Sequence, residues 1–304
     1  MKKNQFLLVI LGPTAVGKTT LSIRIAQKFQ TEIISADSRQ FYREMNIGTA
    51  KPNANELAQV PHHFINSHSI HEDYNVGQYE KDVMHLLEQK FKEKPLLLLT
   101  GGSGLYIRVV TEGMDEMPET HSEIRAALMK TYQDSGLSPL LEELAQKDPM
   151  YYDQVDRANP HRIIRALEVC RSTGKTYSSF RKQKQKERPF HIIKIGLYRE
   201  RELLYQRIEQ RMDLMLEQGL EAEARALYPF RSHLALQTVG YQEFFPYFEN
   251  QYDWDECVRL LKRNSRRYAK RQLTWFRRDP EIHWFEAHQE EQILRTIQEK
   301  IGED

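Results

Sequence analysis

Cysteine is nearly absent from this chain: two among 304 residues, Cys170 and Cys257, far apart and with no CxxC spacing. That excludes a disulfide framework and a cysteine-rich zinc site, and it makes a reducing cytoplasm the expected compartment. Long apolar runs are missing too. The run Phe6 to Leu11 follows Met1-Lys2-Lys3 in the manner of a secretory leader. It is far shorter than the roughly 18 apolar residues of a membrane span, and it ends in a glycine-rich loop, so it reads as a buried strand. Neither export nor membrane insertion is expected. Repeats and low-complexity tracts are also lacking.

Excess charge of one sign is absent overall, with a formal net charge of +1, but the charges are unevenly placed. Between Arg259 and Arg278, nine residues are Lys or Arg and none is acidic. Between Arg171 and Arg188, seven basic residues face one Glu. Acidic stretches at Glu112 to Glu123 and Glu142 to Asp156 balance them, so the near-zero total conceals two basic patches.

What is present begins with a strand of the kind buried on both faces, Phe6 to Leu11, then a glycine loop, then a helix with Leu21, Ile25 and Phe29 on one stripe. Glu32 to Ser35 predicts a second strand, Leu96 to Thr100 a third, and His191 to Leu197 another. Strands alternating with helices imply an α/β fold with a doubly wound parallel sheet and functional loops at the strands' C-terminal ends. After Gly113, Pro118, Pro139, Pro149 and Pro160 punctuate short helical patterns from about Ser122 to Thr173 with no strand-like run, an inserted all-helical domain. A basic, polar stretch from Lys182 to Pro189 leads back to strand. The predicted division is 1–115 plus 188–304 for the core and 116–187 for the insert. Leu204, Ile208, Met212 and Met215 share one helical face, Gly219 ends that helix, the rest is helical to about Arg277, and His283 to Phe285 is a short last strand.

The segment Gly12-Pro13-Thr14-Ala15-Val16-Gly17-Lys18-Thr19 fits GxxxxGK[ST]. Its glycines let backbone N–H groups converge on phosphate oxygens, Lys18 adds charge, the helix start adds its dipole, and the Thr19 hydroxyl can hold Mg2+. Such a loop says phosphate without saying which reaction. A nucleotide hydrolase or kinase usually carries a second acid at another strand end, and here that strand runs Leu96 to Thr100 into Gly101-Gly102 without one. The carboxylate that stands at a strand end is Asp37, able to take a proton or to hold Mg2+ through water, or simply to cap the next helix. Ser38, Arg39 and Gln40 beside it could contact a polar acceptor or be solvated. Gly101 to Gly104 offers a close backbone approach or a plain turn. Arg207 and Arg211, four apart, suit a phosphate clamp or a surface salt-bridge stripe. In the basic C-terminal helix, cations suit backbone phosphates while Gln272, Thr274 and Trp275 could read or stack on an unpaired base; the alternative is a solvated face packed through Leu261, Tyr268 and Trp275.

These blocks together resemble the bacterial tRNA dimethylallyltransferases, also called tRNA isopentenyltransferases. The resemblance runs from the first strand to about Arg277. It is carried in order by residues 12–19, SADSRQFY (35–42), IGTAKP (47–52), GGSGLY (101–106), NPHRIIRALEV (159–169), RIEQR (207–211), VGYQEF (239–244) and KRQLTWFR (270–277). It implies a cytoplasmic, monomeric P-loop enzyme that moves a dimethylallyl group from its diphosphate to N6 of the adenosine just 3′ of the anticodon. It further implies that Thr14 to Thr19 grip the diphosphate with Mg2+ at Thr19, that Arg211 stabilises the departing diphosphate, and that Asp37 is the general base. By the same resemblance, contacts to the tRNA anticodon arm fall at Asp37, Ser38, Arg39, Gln40, Ser103, Arg125, His161, Arg162, Ile163, Ile164 and Arg165. Further contacts fall at Gln237, Thr238, Val239, Gly240, Tyr241 and Gln242, and at Lys270, Arg271, Gln272, Leu273, Thr274, Trp275, Phe276 and Arg277. The helical insert becomes a clamp on that arm. Ser103 stands where Thr is common, Gln242 replaces an Arg of some relatives, and the zinc-finger tail of eukaryotic relatives is absent. A small-molecule kinase and a prenyltransferase acting on free adenine nucleotides are the competing readings; the second would need neither the insert nor the basic helix.

Overall fold

Leu7, Leu8, Val9 and Ile10 have no exposed surface, as a strand covered on both faces requires. In the computed structural model, which describes residues 4–181 and 186–302, they form the middle of a six-stranded parallel sheet. Lys182 and Lys184 of the basic stretch lie outside the described residues. The chain packs as two compact units, Met1–Glu112 with Glu187–Asp304, and Gly113–Lys186.

In the first unit the order is β1 (Phe6–Leu11), α1 (Lys18–Lys28), β2 (Ile33–Ser35), α2 (Ala54–Leu57), β3 (His62–His63), α3 (Val76–Lys90), β4 (Leu96–Gly101) and α4 (Gly104–Glu112). The sheet runs β3-β2-β4-β1 and continues into β5 (His191–Tyr198) and β6 (His283–Glu286). β5 leads to α10 (Arg201–Glu217), α11 (Leu220–Leu227), α12 (Phe244–Phe248) and α13 (Trp254–Phe276), and α14 (Glu290–Ile301) follows β6. The α10 stripe is as the periodicity predicts, with Leu204, Ile208, Met212 and Met215 buried, and Gly219 at φ 97 turns the chain into α11. Asp253 accepts from the Glu256 amide and starts α13 five residues before its basic run.

Four elements have no counterpart in the sequence reading. α2 and β3 are four and two residues long, too short for a period, and α3 and α14 lie in stretches without a marked motif. Conversely, the continuous helix expected after Gly219 is broken: from Arg231 to Glu243 the chain is a series of turns, among them Gly240 at φ 99.

The second unit contains, among the described residues, only helices: α5 (Ser122–Ser135), α6 (Ser138–Lys147), α7 (Pro149–Gln154), α8 (Pro160–Thr173) and α9 (Tyr177–Phe180). Pro139, Pro149 and Pro160 each occupy a first turn, where their missing N–H costs nothing. Asp148 and Asn159 cap α7 and α8. The core joins Leu128, Leu140 and Leu144 to Ile163, Ile164 and Leu167 of α8. Among the described residues no helix is long and apolar enough to cross a membrane.

Candidate active site

Register decides where the functional loops emerge. Leu11 lies level with Gly101 of β4 and with Gly196 of β5, and Ser35 lies level with Thr100. The residues that follow each strand, Gly12, Asp37, Gly102 and Arg199, therefore gather along one C-terminal edge.

The loop after β1 is held by cations on its outer side. Lys18 Nζ donates to the carbonyls of Gly12 (3.0 Å) and Pro13 (2.8 Å). Arg207 Nε donates to Ala15 O (3.0 Å), Arg199 Nε to Val16 O (2.8 Å), and Arg211 to the Thr14 hydroxyl. Gly12 and Gly17 take φ values of 150 and 116, which let the loop close tightly. With its carbonyls engaged by cations, the loop and the first turn of α1 have amides to offer an anion, since the initial N–H groups of a helix lack helical partners. Burial lowers Lys18 to about 8, against the pull of Asp37, with Arg211 lowering it further. Arg211 is likewise lowered to about 10 by burial, with Asp37 opposing and Arg207 assisting. Cations depressed in this way are short of negative charge.

Asp37 faces these cations from the end of β2. Its Oδ1 accepts from the Arg39 amide at 3.0 Å, so it holds a turn rather than capping a helix, none of which follows directly, and its second oxygen is not used by that bond. The Ser103 hydroxyl accepts from the Ser38 amide at 3.1 Å and ties this turn to the Gly101–Gly104 turn. Gln40 braces the same wall, accepting from Ser35 Oγ and donating to the carbonyls of Thr49 and Ala50. Tyr268 of α13 stands near both: its hydroxyl is raised to about 12, first by burial and then by Asp37, with the Ser103 hydrogen bond opposing.

A cavity of about 320 Å³ joins these groups. Thr14, Ala15, Gly17, Lys18, Thr19, Arg207 and Arg211 line its cationic end, Asp37, Arg39 and Gln40 one wall, and Thr238, Val239 and Gly240 another. Apolar lining comes from Met212, Met215, Ile33 and Ile65. The volume suits a small ligand that is charged at one end and apolar elsewhere.

Several predicted contact residues are core instead. Ile163 and Ile164 are buried in the helical core at 0% and 1% exposure, so they pack and do not touch a surface partner. Tyr241, also at 0%, donates its hydroxyl to Glu223. Phe276 is buried, and Leu273 packs on the main core. Gln272 reads no base: its Oε1 accepts from the Thr14 amide at 2.9 Å and its Nε2 donates to Gly102 O at 2.8 Å. A Cβ on Gly102 would meet Gln272 Nε2 at 2.3 Å, and one on Gly104 would meet the Trp275 ring at 2.3 Å, so the GGSG turn is glycine-rich to receive α13. The side chains left exposed there are Lys270, Arg271, Thr274 and Arg277. Gln237 and Gln242 are exposed too.

The nine basic residues ending in α13 divide by position. Arg259 pairs with Glu256, Lys262 with Asp213 and Arg266 with Glu209, so acids absent from that stretch come from the preceding turn and from α10. Among the described residues, Arg263, Arg267, Lys270, Arg271, Arg277 and Arg278 form no ion pair, Arg263 donating to Asn264 and Arg271 lying over the Tyr268 ring. The cationic surface is thus narrower than the sequence implies and lies toward the helix's C-terminal end. In the helical unit, Arg125 and Arg165 both pair with the buried Glu168, which also accepts from Thr120, while His161 and Arg162 are exposed.

Sequence reasoning missed two organising residues. Arg199 could have been found, because it directly follows a strand end. Glu223 could not: it accepts from the amides of Asn46, Ile47 and Gly48 and from Tyr241, a convergence of segments some 180 residues apart that no local pattern announces.

The fold and site define an α/β protein whose strand ends hold cations and loop amides facing the Asp37 carboxylate across one cavity. Residues 40–279 match the family model for IPP transferase. A tRNA dimethylallyltransferase of Bacteroides fragilis is 49% identical over 97% of this chain and 98% of its own, and one of Christiangramia forsetii is 50% identical over 98% and 99%. Among solved structures, a full-length tRNA isopentenylpyrophosphate transferase from Bacillus halodurans is 36% identical, covering 99% of this chain and 97% of its own with a TM-score of 0.73. A eukaryotic dimethylallyltransferase acting on tRNA aligns over 96% of this chain with a TM-score of 0.77 at 27% identity. The chain belongs to the IPP transferase family.

Proposed function

We propose that this protein transfers a dimethylallyl group from dimethylallyl diphosphate to N6 of the adenosine 3′ of the anticodon, nucleotide 37 of tRNA. The observation that carries the chemistry is the pairing of a cation-walled loop with the strand-end carboxylate of Asp37 across a cavity partly lined by apolar side chains. In this reading, residues 12–19 are a phosphate-binding loop, and the diphosphate lies against its amides with Lys18 and Arg211 countering its charge. The apolar part of the cavity takes the five-carbon chain. As the carbon–oxygen bond to diphosphate breaks and the carbon–nitrogen bond forms, the amine loses a proton to the Asp37 carboxylate, and Arg211 and Lys18 hold the leaving group.

The oxygen donors beside the loop fit Mg2+, a hard cation. Thr19 lines the cavity next to Lys18, and among the described residues no cluster of three His, Cys, Asp or Glu competes for a metal. Thr19 would hold Mg2+ together with diphosphate oxygens, Asp37 at most through water; bound there, the ion would neutralise diphosphate charge. The adenine reaches the cavity by leaving its stack, at a cost of a few kcal/mol. Lys270, Arg271, Thr274, Arg277, His161 and Arg162 are the exposed groups available to the RNA backbone, and the helical unit, 116–187, is the clamp on the anticodon arm.

The test incubates the protein with dimethylallyl diphosphate, Mg2+ and either unmodified tRNA or AMP, then analyses nucleosides by mass. A gain of one five-carbon unit on tRNA is expected. Gain on AMP alone would select the free-nucleotide prenyltransferase, and transfer to neither would reject both.

A further inference from the structure

Among the described residues, four cations attach to the glycine loop's carbonyls or hydroxyl, and one neutral side chain takes a loop amide. That side chain is Gln272, whose Oε1 accepts from Thr14 N at 2.9 Å while Nε2 donates to Gly102 O at 2.8 Å. Its partners, a donor on one side and an acceptor on the other, fix which end of the amide is which. Thr14 is held from both directions, its amide by Gln272 and its hydroxyl by Arg211. Gln272 is buried at 7% exposure, yet Lys270, Arg271 and Thr274 around it on α13 are exposed.

We infer that Gln272 is a positioning residue that links the two substrates, joining the RNA-facing end of α13 to the diphosphate loop through Thr14. This rests on the function proposed above. RNA phosphates engaging Lys270 and Arg271 fix the last turns of α13, and Gln272 passes that restraint to the Thr14 amide. By thermodynamic reciprocity, diphosphate on the loop then favours RNA on the helix by the same factor. The missing Cβ at Gly102 lets this amide lie directly against the turn, where a Cβ would meet Gln272 Nε2 at 2.3 Å.

The experiment measures the affinity of inorganic diphosphate with Mg2+, by calorimetry, with and without saturating anticodon stem-loop RNA. For the wild-type protein, RNA is expected to tighten diphosphate binding severalfold. Gln272→Met keeps the length and loses both hydrogen bonds. It is expected to weaken diphosphate binding about tenfold, to abolish the effect of RNA, and to change RNA affinity alone by less than about threefold. Gln272→Glu supplies a second reading: relative to wild type at the same pH it recovers as pH falls, because a protonated carboxyl can again accept from Thr14 and donate to Gly102.

Wild-type affinity and coupling in Gln272→Met would overturn the inference. So would equal losses of diphosphate and RNA affinity in Gln272→Met, or a Gln272→Glu protein that never recovers. No prenyl transfer is measured, so a wild-type protein that shows the coupling but transfers no dimethylallyl group would remove the function proposed above and leave the link standing.

Discussion

In the proposed reaction Asp37 is the proton acceptor and Lys18 a charge partner, and the two make different demands on pH. Asp37→Ala is expected to lower turnover by at least 100-fold, in the range general-base removal produces, while RNA affinity stays within about threefold. Single-turnover rates alongside RNA binding check this, and near-normal turnover would end the general-base assignment. Lys18 is lowered to about 8 in the ligand-free protein by burial. Its folded value lies below its unfolded one, so above about pH 8 the folded state holds fewer protons, and the ligand-free protein gains stability as pH rises from there toward 10.5. Diphosphate favours the charged amine, so its binding takes up a proton in that window. Donor affinity is expected to fall above about pH 8, by up to tenfold per pH unit, and Lys18→Arg should flatten that fall. Titration calorimetry in two buffers of different ionisation enthalpy measures the proton uptake directly. At this scale the sequence was informative wherever a motif has a local mechanism, as in residues 12–19. It misled where burial decides: nothing in NPHRIIRALEV says that Ile163 and Ile164 point to the core while His161 and Arg162 do not, except the helical period itself.

Among the elements, α13 joins most of the site's parts. Its C-terminal half packs on the Gly101–Gly104 turn, with Gln272 against Gly102 and Trp275 against Gly104. Gly104→Ala brings a Cβ to 2.3 Å from the indole, and overpacking of this kind costs about 1–3 kcal/mol. A lowered melting temperature with a smaller loss in a Gly104→Ala/Trp275→Leu double variant is expected; additive losses would show that the two do not meet. The exposed cations of the same helix make a separate prediction. Reversing Lys270 and Arg277 to Glu should weaken RNA binding and reduce the slope of log affinity against log salt, because fewer counterions are released. Arg259→Glu, whose residue already pairs with Glu256, should leave that slope nearly unchanged. The basic run was legible as a run; its division was not, since Glu209 and Asp213 approach from α10 only in three dimensions.

For the whole molecule, the chain leaves the first unit after Glu112 and re-enters it at Glu187. The re-entering segment ahead of β5 is anchored by Arg188, which donates to Val109 O of α4 and pairs with Glu80 of α3. Exit and return are thereby close, so replacing residues 116–184 by a short Gly/Ser linker is expected to leave a folded core. That core should bind inorganic diphosphate within about threefold of the intact protein and lose most of its affinity for the anticodon stem-loop. Intact RNA affinity would show that the helical unit is no clamp. Alternation of strands with helices made the parallel sheet readable, and proline spacing made the helical insert readable. The two-residue β3 and the turns from Arg231 to Glu243 were not, because β3 answers to its pairing with β2 and the turns to the Glu223–Tyr241 contact rather than to any period of their own.

The level endings of β1 and β4 also bear on how such a chain can change over time. Each strand's length acts as a ruler: one residue added within Phe6–Leu11 or Leu96–Gly101 would turn every later side chain of that strand to the opposite face and lift its loop out of line with the others. Insertions and deletions should accordingly be rare inside those strands and frequent in the segments that leave the sheet edge and return to it. The site keeps its shape because its parts are measured from a common baseline, and length variation is absorbed away from it.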